Sequence, residues 1–341
     1  QAIASSWGGG SGTATLELVV LDWLRDALGL APASEGIILT GGSMANTTAL
    51  VVARAETGGG VLYRDFWDVK QPGIYWFYAV AGRCFGFTEP GIRLFELLWM
   101  MAFAVVLVVT LRRRWGPGLA ATLAPLLTVG SYYATAGDLH LTQVEALVGL
   151  PLYLTLWFAT DGAGEEPRAW RSLVSGLCGG VALVFKLAFL PLVGLFWLVA
   201  LLAAARSGGW ARALVVVALP AAIGAALPLA VTIAYFARHG LLATMWATWF
   251  DVPALLLAQV RGTHVNRLFD GLQWFLLRAA PWLGLAVVGA GAARARRDAL
   301  AAGLGLWLVA GFLVILAQRW SWWQYHYVLL FWPTGVLAAA G

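Results

Sequence analysis

The sequence predicts an all-α polytopic membrane protein with about nine transmembrane helices. A structured outer loop with a short amphipathic helix and a small N-terminal segment outside the membrane complete it. Three observations carry this. Hydrophobic residues fill 61% of the 341 positions and charged residues only 11%, against about 25% charge in a soluble domain. Mean hydropathy is +0.79. Apolar segments of near-spanning length recur from residue 94 to the end, separated by clusters of basic residues. The only lysines are Lys70 and Lys186, so the positive charge rests on arginine, and clustered arginines between apolar segments read as topology signals rather than nucleic-acid contacts. The 19 tryptophans suit membrane interfaces, where an amphipathic ring is half wetted. Cys84 and Cys178 give neither a disulfide framework nor a metal-ligand spacing, and no metal is expected.

Three regions follow from composition. Residues 1–56 read as a non-membrane segment: an amphipathic stretch from Thr15 to Leu28, a short apolar run at Gly36–Thr40, a Gly-Gly-Ser turn, then a helix from Met44 to Ala55. No basic segment followed by an apolar one opens the chain, so no signal peptide is expected. The first residue is not Met and the last lies inside an apolar run, which reads as a fragment. After the break at Gly58, Gly59 and Gly60, residues 57–93 form a mixed aromatic and charged outer loop whose Tyr75-Trp76-Phe77-Tyr78 cluster suits a short interfacial helix. Residues 94–341 form the transmembrane part.

Its apolar segments fall at 94–111, 118–134, 142–160, 172–186, 188–205, 213–236, 276–293, 299–317 and 325–341. Several are at the lower limit of the ~17–25 residues that cross a bilayer core. The segment Ser172–Ala205 would measure about 51 Å as one helix, too long for a single crossing and tight for two. Charge resolves it. Arg112-Arg113-Arg114, Arg206 with Arg212, and Arg294-Arg296-Arg297 all lie on the cytoplasmic side by the positive-inside rule only if this segment crosses twice and turns near Lys186. The loops at 57–93, 135–141, 238–275 and 318–324 then face outward.

In residues 13–55 the strings TLELVVLDWLRDALGL and GIILTGGSMANTTALVVAR resemble the N-terminal part of pyridoxal-phosphate-dependent group II decarboxylases of the aromatic amino-acid type. A Gly-Gly-Ser turn before a helix offers free N–H groups to a phosphate. The resemblance implies that Gly42, Ser43 and Asn46 descend from the segment that helps hold the cofactor phosphate. The family's Schiff-base lysine directly follows a histidine. Lys70 follows Val69 and Lys186 follows Phe185, so pyridoxal phosphate is not expected as a cofactor and this piece is not a working decarboxylase.

From Val61 onward the chain resembles bacterial membrane glycosyltransferases of the GT-C superfamily, the dolichyl-phosphate-mannose mannosyltransferase and lipid A aminoarabinose transferase type. VLYRDFWDVKQPGIYWFYAVAGRCFG is similar to that family's first outer loop, with its acidic–Lys–Pro core before an aromatic amphipathic helix. QYHYVLLFWPTGVLAAA is similar to a late helix of the family. The resemblance implies transfer of a sugar from a polyprenyl-phosphate carrier to an acceptor at the outer face of an inner membrane, with membrane lipids and the lipid-linked sugar as partners. It aligns Lys70 with a phosphate-contacting lysine and Asp68 with its acidic neighbour, although the spacing here is Asp-Val-Lys. Asp65 is a further carboxylate in the same loop, and a carboxylate can take the acceptor's proton. The family's first transmembrane helix, and the Asp after it, would stand where the decarboxylase-like piece stands. A chimeric reading frame joined around residues 55–60 is therefore expected.

Independently of any family, the topology gathers polar residues at one membrane face: Asp138, His140, Gln143 and Glu145 at one helix start, Lys186 at a turn, Arg319 and His326 at another helix end. Glu96 lies one turn inside the first helix. Ionisable residues at such depth face a cavity or a partner. Glu145, Lys186 and His326 therefore join Lys70 as candidates for substrate phosphate binding; the alternatives are a structural Glu145–Lys186 ion pair, ordinary interfacial histidines at His140 and His326, and solvated loop charges at Asp65, Asp68 and Lys70. Trp320, Trp322 and Trp323 read as interface anchors. A transporter would place polar residues at the midplane. A non-catalytic membrane product of a broken gene, and a decarboxylase fragment judged on residues 1–56, are the other readings.

Overall fold

The computed structural model describes residues 58–65, 67–137, 141–160, 168–259, 265–295, 298–318 and 322–341, and in addition Val19, Asp22, Trp23, Arg25 and Asp26. The residues expected for a phosphate-holding turn, Gly42, Ser43 and Asn46, lie outside the described residues, as do Asp138, His140, Arg296, Arg297, Arg319 and Trp320.

Every multi-residue regular element among the described residues is helical. Helix α1 (Pro72–Phe85) is the expected amphipathic helix. Pro72 starts it where an N–H would be idle anyway, and its Ile74, Tyr75, Phe77 and Tyr78 face is buried while Arg83 closes the last turn. Helix α2 (Glu89–Trp115) is capped by the Thr88 hydroxyl, which accepts from the Gly91 N–H, and ends in Arg112, Arg113 and Arg114. Helix α3 comprises Leu119–Pro125, the π turn Leu126–Gly130 and Ser131–Thr135, with Pro125 removing the hydrogen bond that would have kept the helix regular. Helix α4 runs Val144–Thr160 and α5 Ala169–Phe185.

Helix α6 (Leu190–Ala213) passes through a π turn, Leu214–Ala218, into α7 (Leu219–Arg238). Apolar over 52 residues, this stretch is still two helices rather than one. Gly209, at φ 80° and ψ 163°, reverses the chain beside Arg206 and Arg212, a conformation costly for a side chain with a Cβ. Helix α8 lies in Leu242–Gln259 and contains the π turn Ala247–Asp251. Helices α9 (Val265–Ala295), α10 (Ala299–Ala317) and α11 (Val328–Ala340) follow, the last after a 3-10 turn at Gln324–Tyr327.

All nine segments expected to cross therefore hold a helix, and Ser172–Ala205 divides into two helices broken at the extended Lys186 (φ −164°, ψ 114°). One expectation is corrected. The outer loop 238–275 is largely helical, because α8 fills its first half and α9 begins at Val265 rather than near residue 276. An isolated hydropathy window misses such helices, since their charged and aromatic ends interrupt the apolar run.

Lipid solvates apolar side chains, so helix contacts depend on close backbone approach. A Cβ on Gly176 would come within 2.1 Å of the Ala221 carbonyl oxygen, and one on Gly224 within 2.1 Å of the Leu173 carbonyl oxygen, so α5 and α7 touch backbone to backbone. At the arginine end, Asp298 caps α10, accepting from the Leu300 and Ala301 N–H groups at 2.8 and 3.2 Å, and also from the Trp115 indole at 2.8 Å and the Arg114 guanidinium at 3.4 Å. Burial alone would raise the Asp298 carboxyl, but the Trp115, Ala301 and Arg114 donors outweigh it and hold the group below its ordinary range. The end of α2 and the start of α10 thus meet on one side, as arginine parity requires.

Two outcomes follow. In a background with Cys84 and Cys178 replaced by serine, cysteines at Pro117 and Ser207 should react with an impermeant thiol reagent only after permeabilisation, and one at Arg238 in intact cells; a shared pattern for Pro117 and Arg238 would refute the parity. Asp298→Asn keeps a capping oxygen but loses the charge at the α10 N-terminus and beside Arg114, and should lower stability by about 0.3–1 kcal/mol at neutral pH. Because its folded-state pKa is depressed, the contribution is present above the unfolded value near about pH 4 and fades as pH falls, so thermal melts of variant and wild type should converge on acidification.

Candidate functional site

At the membrane end opposite the arginines, a cavity of about 1250 Å³ opens between the outer loop, the starts of α4, α6 and α9, α8 and the end of α10. Its polar wall grows from three helix termini. Glu145 lies in the first turn of α4 and is 2% exposed. It accepts from Lys186 Nζ at 2.7 Å and from His326 Nδ1 at 2.7 Å. A carboxylate can only accept, so His326 carries its proton on Nδ1. The Glu145 carbonyl accepts from the Trp332 indole at 3.0 Å, which fixes the backbone under the side chain. Lys186 is presented by the extended break between α5 and α6. Beside it the Leu187 N–H donates to Gln71 Oε1 at 2.5 Å, joining this break to the outer loop.

The loop itself is held by aromatic hydroxyls and indoles. Tyr63, at φ 69°, donates to the Lys70 carbonyl at 2.7 Å and accepts from the Trp249 indole at 3.2 Å. Trp67 donates to the Thr248 hydroxyl of α8 at 2.9 Å. Asp68 accepts the Tyr75 hydroxyl at 2.5 Å and makes a long 3.5 Å contact with Lys70 Nζ. Burial above all, and then the Asp68 carboxylate, push the Tyr75 phenol far above its ordinary range, so it remains a neutral donor. An ammonium has three N–H donors. Lys70 and Lys186 each have one carboxylate neighbour among the described residues, at 3.5 and 2.7 Å. That leaves donors on both for an anionic guest.

The other wall is apolar: Leu187, Leu190 and Pro191 from the α6 side, Leu313, Val314 and Ala317 from α10, Pro253 and Leu257 from α8. Leu190 and Leu313 are 53% and 58% exposed on the bundle's outside, so the apolar wall extends to the lipid-facing surface.

Of the residues singled out in the sequence, Asp68, Lys70, Gln143, Glu145, Lys186 and His326 line this one cavity, and so do Trp322 and Trp323, expected as interface anchors. Asp65 does not. Its carboxylate is exposed, bonded to the Arg64 guanidinium at 2.9 Å and to the Val61 N–H at 2.7 Å, and the Arg64 hydrogen bond holds it below the ordinary carboxylate range. It turns toward Arg64 because both belong to the tight turn closed at Val61. Three further wall residues, Gln71, Arg267 and Asp270, have no place in the sequence reading. Arg267 lies 4.4 Å over the Trp323 ring, a cation–π contact. The spacing of Arg267 and Asp270, three residues apart on one helix face, was the available signal, hidden by reading their segment as loop.

Residues 69–236 match the sequence model of the dolichyl-phosphate-mannose-protein mannosyltransferase family. In fold the chain is similar to ArnT from Cupriavidus metallidurans in its apo state, with a TM-score of 0.64 at 20% identity over 96% of this chain and 59% of that one. The chain thus spans about three-fifths of that relative's length. A 50-residue stretch, 15% of this chain, is 46% identical to an aromatic-L-amino-acid decarboxylase of Bacillus atrophaeus, of which it covers 10%. Sequence similarity to the mannosyltransferase family therefore covers the middle of the chain, similarity in fold to ArnT covers nearly all of it, and the decarboxylase resemblance stays confined to a short piece.

Removing Glu145 leaves the buried His326 donor and the part-exposed Lys186 ammonium without their carboxylate, and breaking a fully buried pair costs at most about 3–5 kcal/mol. Glu145→Ala should therefore lower the thermal midpoint markedly in detergent, and Glu145→Gln with Lys186→Met should recover much of the loss. Equal midpoints for wild type and Glu145→Ala would remove the tie from the fold's support.

Proposed function

We propose that the chain is the membrane part of a glycosyltransferase that takes its sugar from a polyprenyl-phosphate carrier, working at the outer face of an inner membrane. One observation carries the reading: two lysines with N–H donors to spare stand on the wall of a cavity whose other wall is apolar and extends to lipid. A phosphate joined to a long prenyl chain has this same division. Lys70 and Lys186 bind the carrier phosphate and stabilise the charge it gains as the bond between phosphate oxygen and sugar C1 breaks. His326 and Glu145 fix Lys186 in place. The acceptor hydroxyl forms the new bond to C1, and its proton passes to Asp68, the carboxylate beside Lys70. Asp65 has no part in this, since it is turned to Arg64 outside the cavity. The family match over residues 69–236 and the shared fold support the reading. A transporter is less well supported, because the cavity's charged groups collect at one membrane end.

Lys70 is the decisive residue. A hydrogen bond to a charged group contributes about 1.5–3 kcal/mol, so Lys70→Ala should weaken polyprenyl-phosphate binding roughly ten- to a hundredfold. Lys70→Arg should keep part of it, with a planar fork where a compact ammonium fits. Titration in detergent against wild type and Arg112→Ala, at the far membrane end, is the measurement. Equal affinities for all three would take Lys70 out of the site.

A further inference from the structure

Just behind the polar wall, and outside the cavity, lies a second buried carboxylate. Glu96 sits in α2, is 1% exposed and accepts four donors. These are the Tyr132 hydroxyl at 2.6 Å, the Thr142 N–H at 2.9 Å, the Thr142 hydroxyl at 2.5 Å and Arg93 Nη1 at 3.3 Å. Arg93 also donates to the Thr142 hydroxyl at 2.6 Å, so Arg93, Thr142 and Glu96 close a ring. Thr142 is fully buried and has φ 56°, a left-handed conformation that β-branched residues rarely adopt and that costs about 1–3 kcal/mol when held. Only strong external bonds keep it there, and the Glu96 carboxylate supplies two of them. Three residues on is Glu145.

We infer that Glu96 is a positioning residue for phosphate recognition: by holding Thr142 in its left-handed turn it fixes where α4 begins, and so where Glu145 holds Lys186 and His326 on the cavity wall. A second route runs in parallel. Tyr132, whose hydroxyl bonds Glu96, packs at 5.5 Å on Trp332, and Trp332 donates to the Glu145 carbonyl. Were Thr142 to relax to an ordinary extended conformation, the first turn of α4 would rotate, and the 2.7 Å bonds from Glu145 to Lys186 and His326 would lengthen together. Glu96 itself touches no substrate. Its role rests on the reading of the cavity as a phosphate site.

The test separates the two ideas. Farnesyl phosphate and farnesol are titrated into the full chain in detergent, and the ratio of their affinities is the readout, since it reports the headgroup and cancels general damage to the apolar wall. Wild type should prefer farnesyl phosphate; no preference would refute the phosphate-site reading itself. Given that preference, Glu96→Gln should reduce it about three- to thirtyfold, Tyr132→Phe by less, and Glu96→Asp should restore part. Thr110→Val is the control. It removes the 2.7 Å Thr110–Tyr153 hydroxyl contact between α2 and α4 at the opposite membrane end, and should lower the thermal midpoint while leaving the ratio unchanged. If Glu96→Gln does not fold, Tyr132→Phe decides. An unchanged ratio in every folded Glu96 and Tyr132 variant, or an equal fall in Thr110→Val, would overturn the positioning role.

Discussion

Glu145 ties the start of α4, the break between α5 and α6 and the approach to α11 to a single buried carboxylate. Buried charge is expensive unless matched, and here the expense is met by two donors from segments 41 and 181 residues away in sequence. Neither lysine nor histidine can leave without stranding the acid. The same tie that closes the bundle end therefore also fixes an ammonium on the cavity wall, and stability and recognition share one carboxylate. The family match begins at Val69 and ends at Phe236, so it contains Glu145 and Lys186 but not His326, which arrives from the far end of the chain.

Much of this was legible beforehand, for physical reasons. Hydropathy located a helix at each expected crossing, because lipid admits few other sequences. Arginine parity called for two helices in Ser172–Ala205, and the structure places the break between them at Lys186 as that parity required. The acidic–Lys–Pro loop announced Lys70 and Asp68. What stayed hidden depends on three-dimensional closure. Asp65 and Asp68 look alike in sequence, and only the turn at Val61 sends one to Arg64 and the other to Tyr75. Arg267 and Asp270 were masked by a helix that begins eleven residues before its apolar core. The buried ring around Glu96 needs residues 93, 96, 132 and 142, which no periodicity links.

The π turns repeat one theme. Those at Leu126–Gly130 and Leu214–Ala218 follow or adjoin strained points of the bundle, after Pro125 and after the reversal at Gly209. The third, Ala247–Asp251, presents Thr248 and Trp249 to the outer loop. Each lets a helix correct its facing by a fraction of a turn without breaking its backbone hydrogen bonding, which a bilayer does not forgive.

The glycine contact between α5 and α7 has a consequence for how such a chain can change over evolutionary time. Where two helices meet through side chains, drift in one must be answered in the other. Here Gly176 and Gly224 set the spacing by main-chain atoms alone, so the outward-facing Leu173, Leu177, Leu227 and Val231 are free to exchange for almost any apolar residue. Lys186, at the end of α5, would keep its place through wholesale replacement of that surface. Low overall identity to a protein of the same fold is then what such a contact permits, because the helix spacing rests on the backbone rather than on the sequence around it.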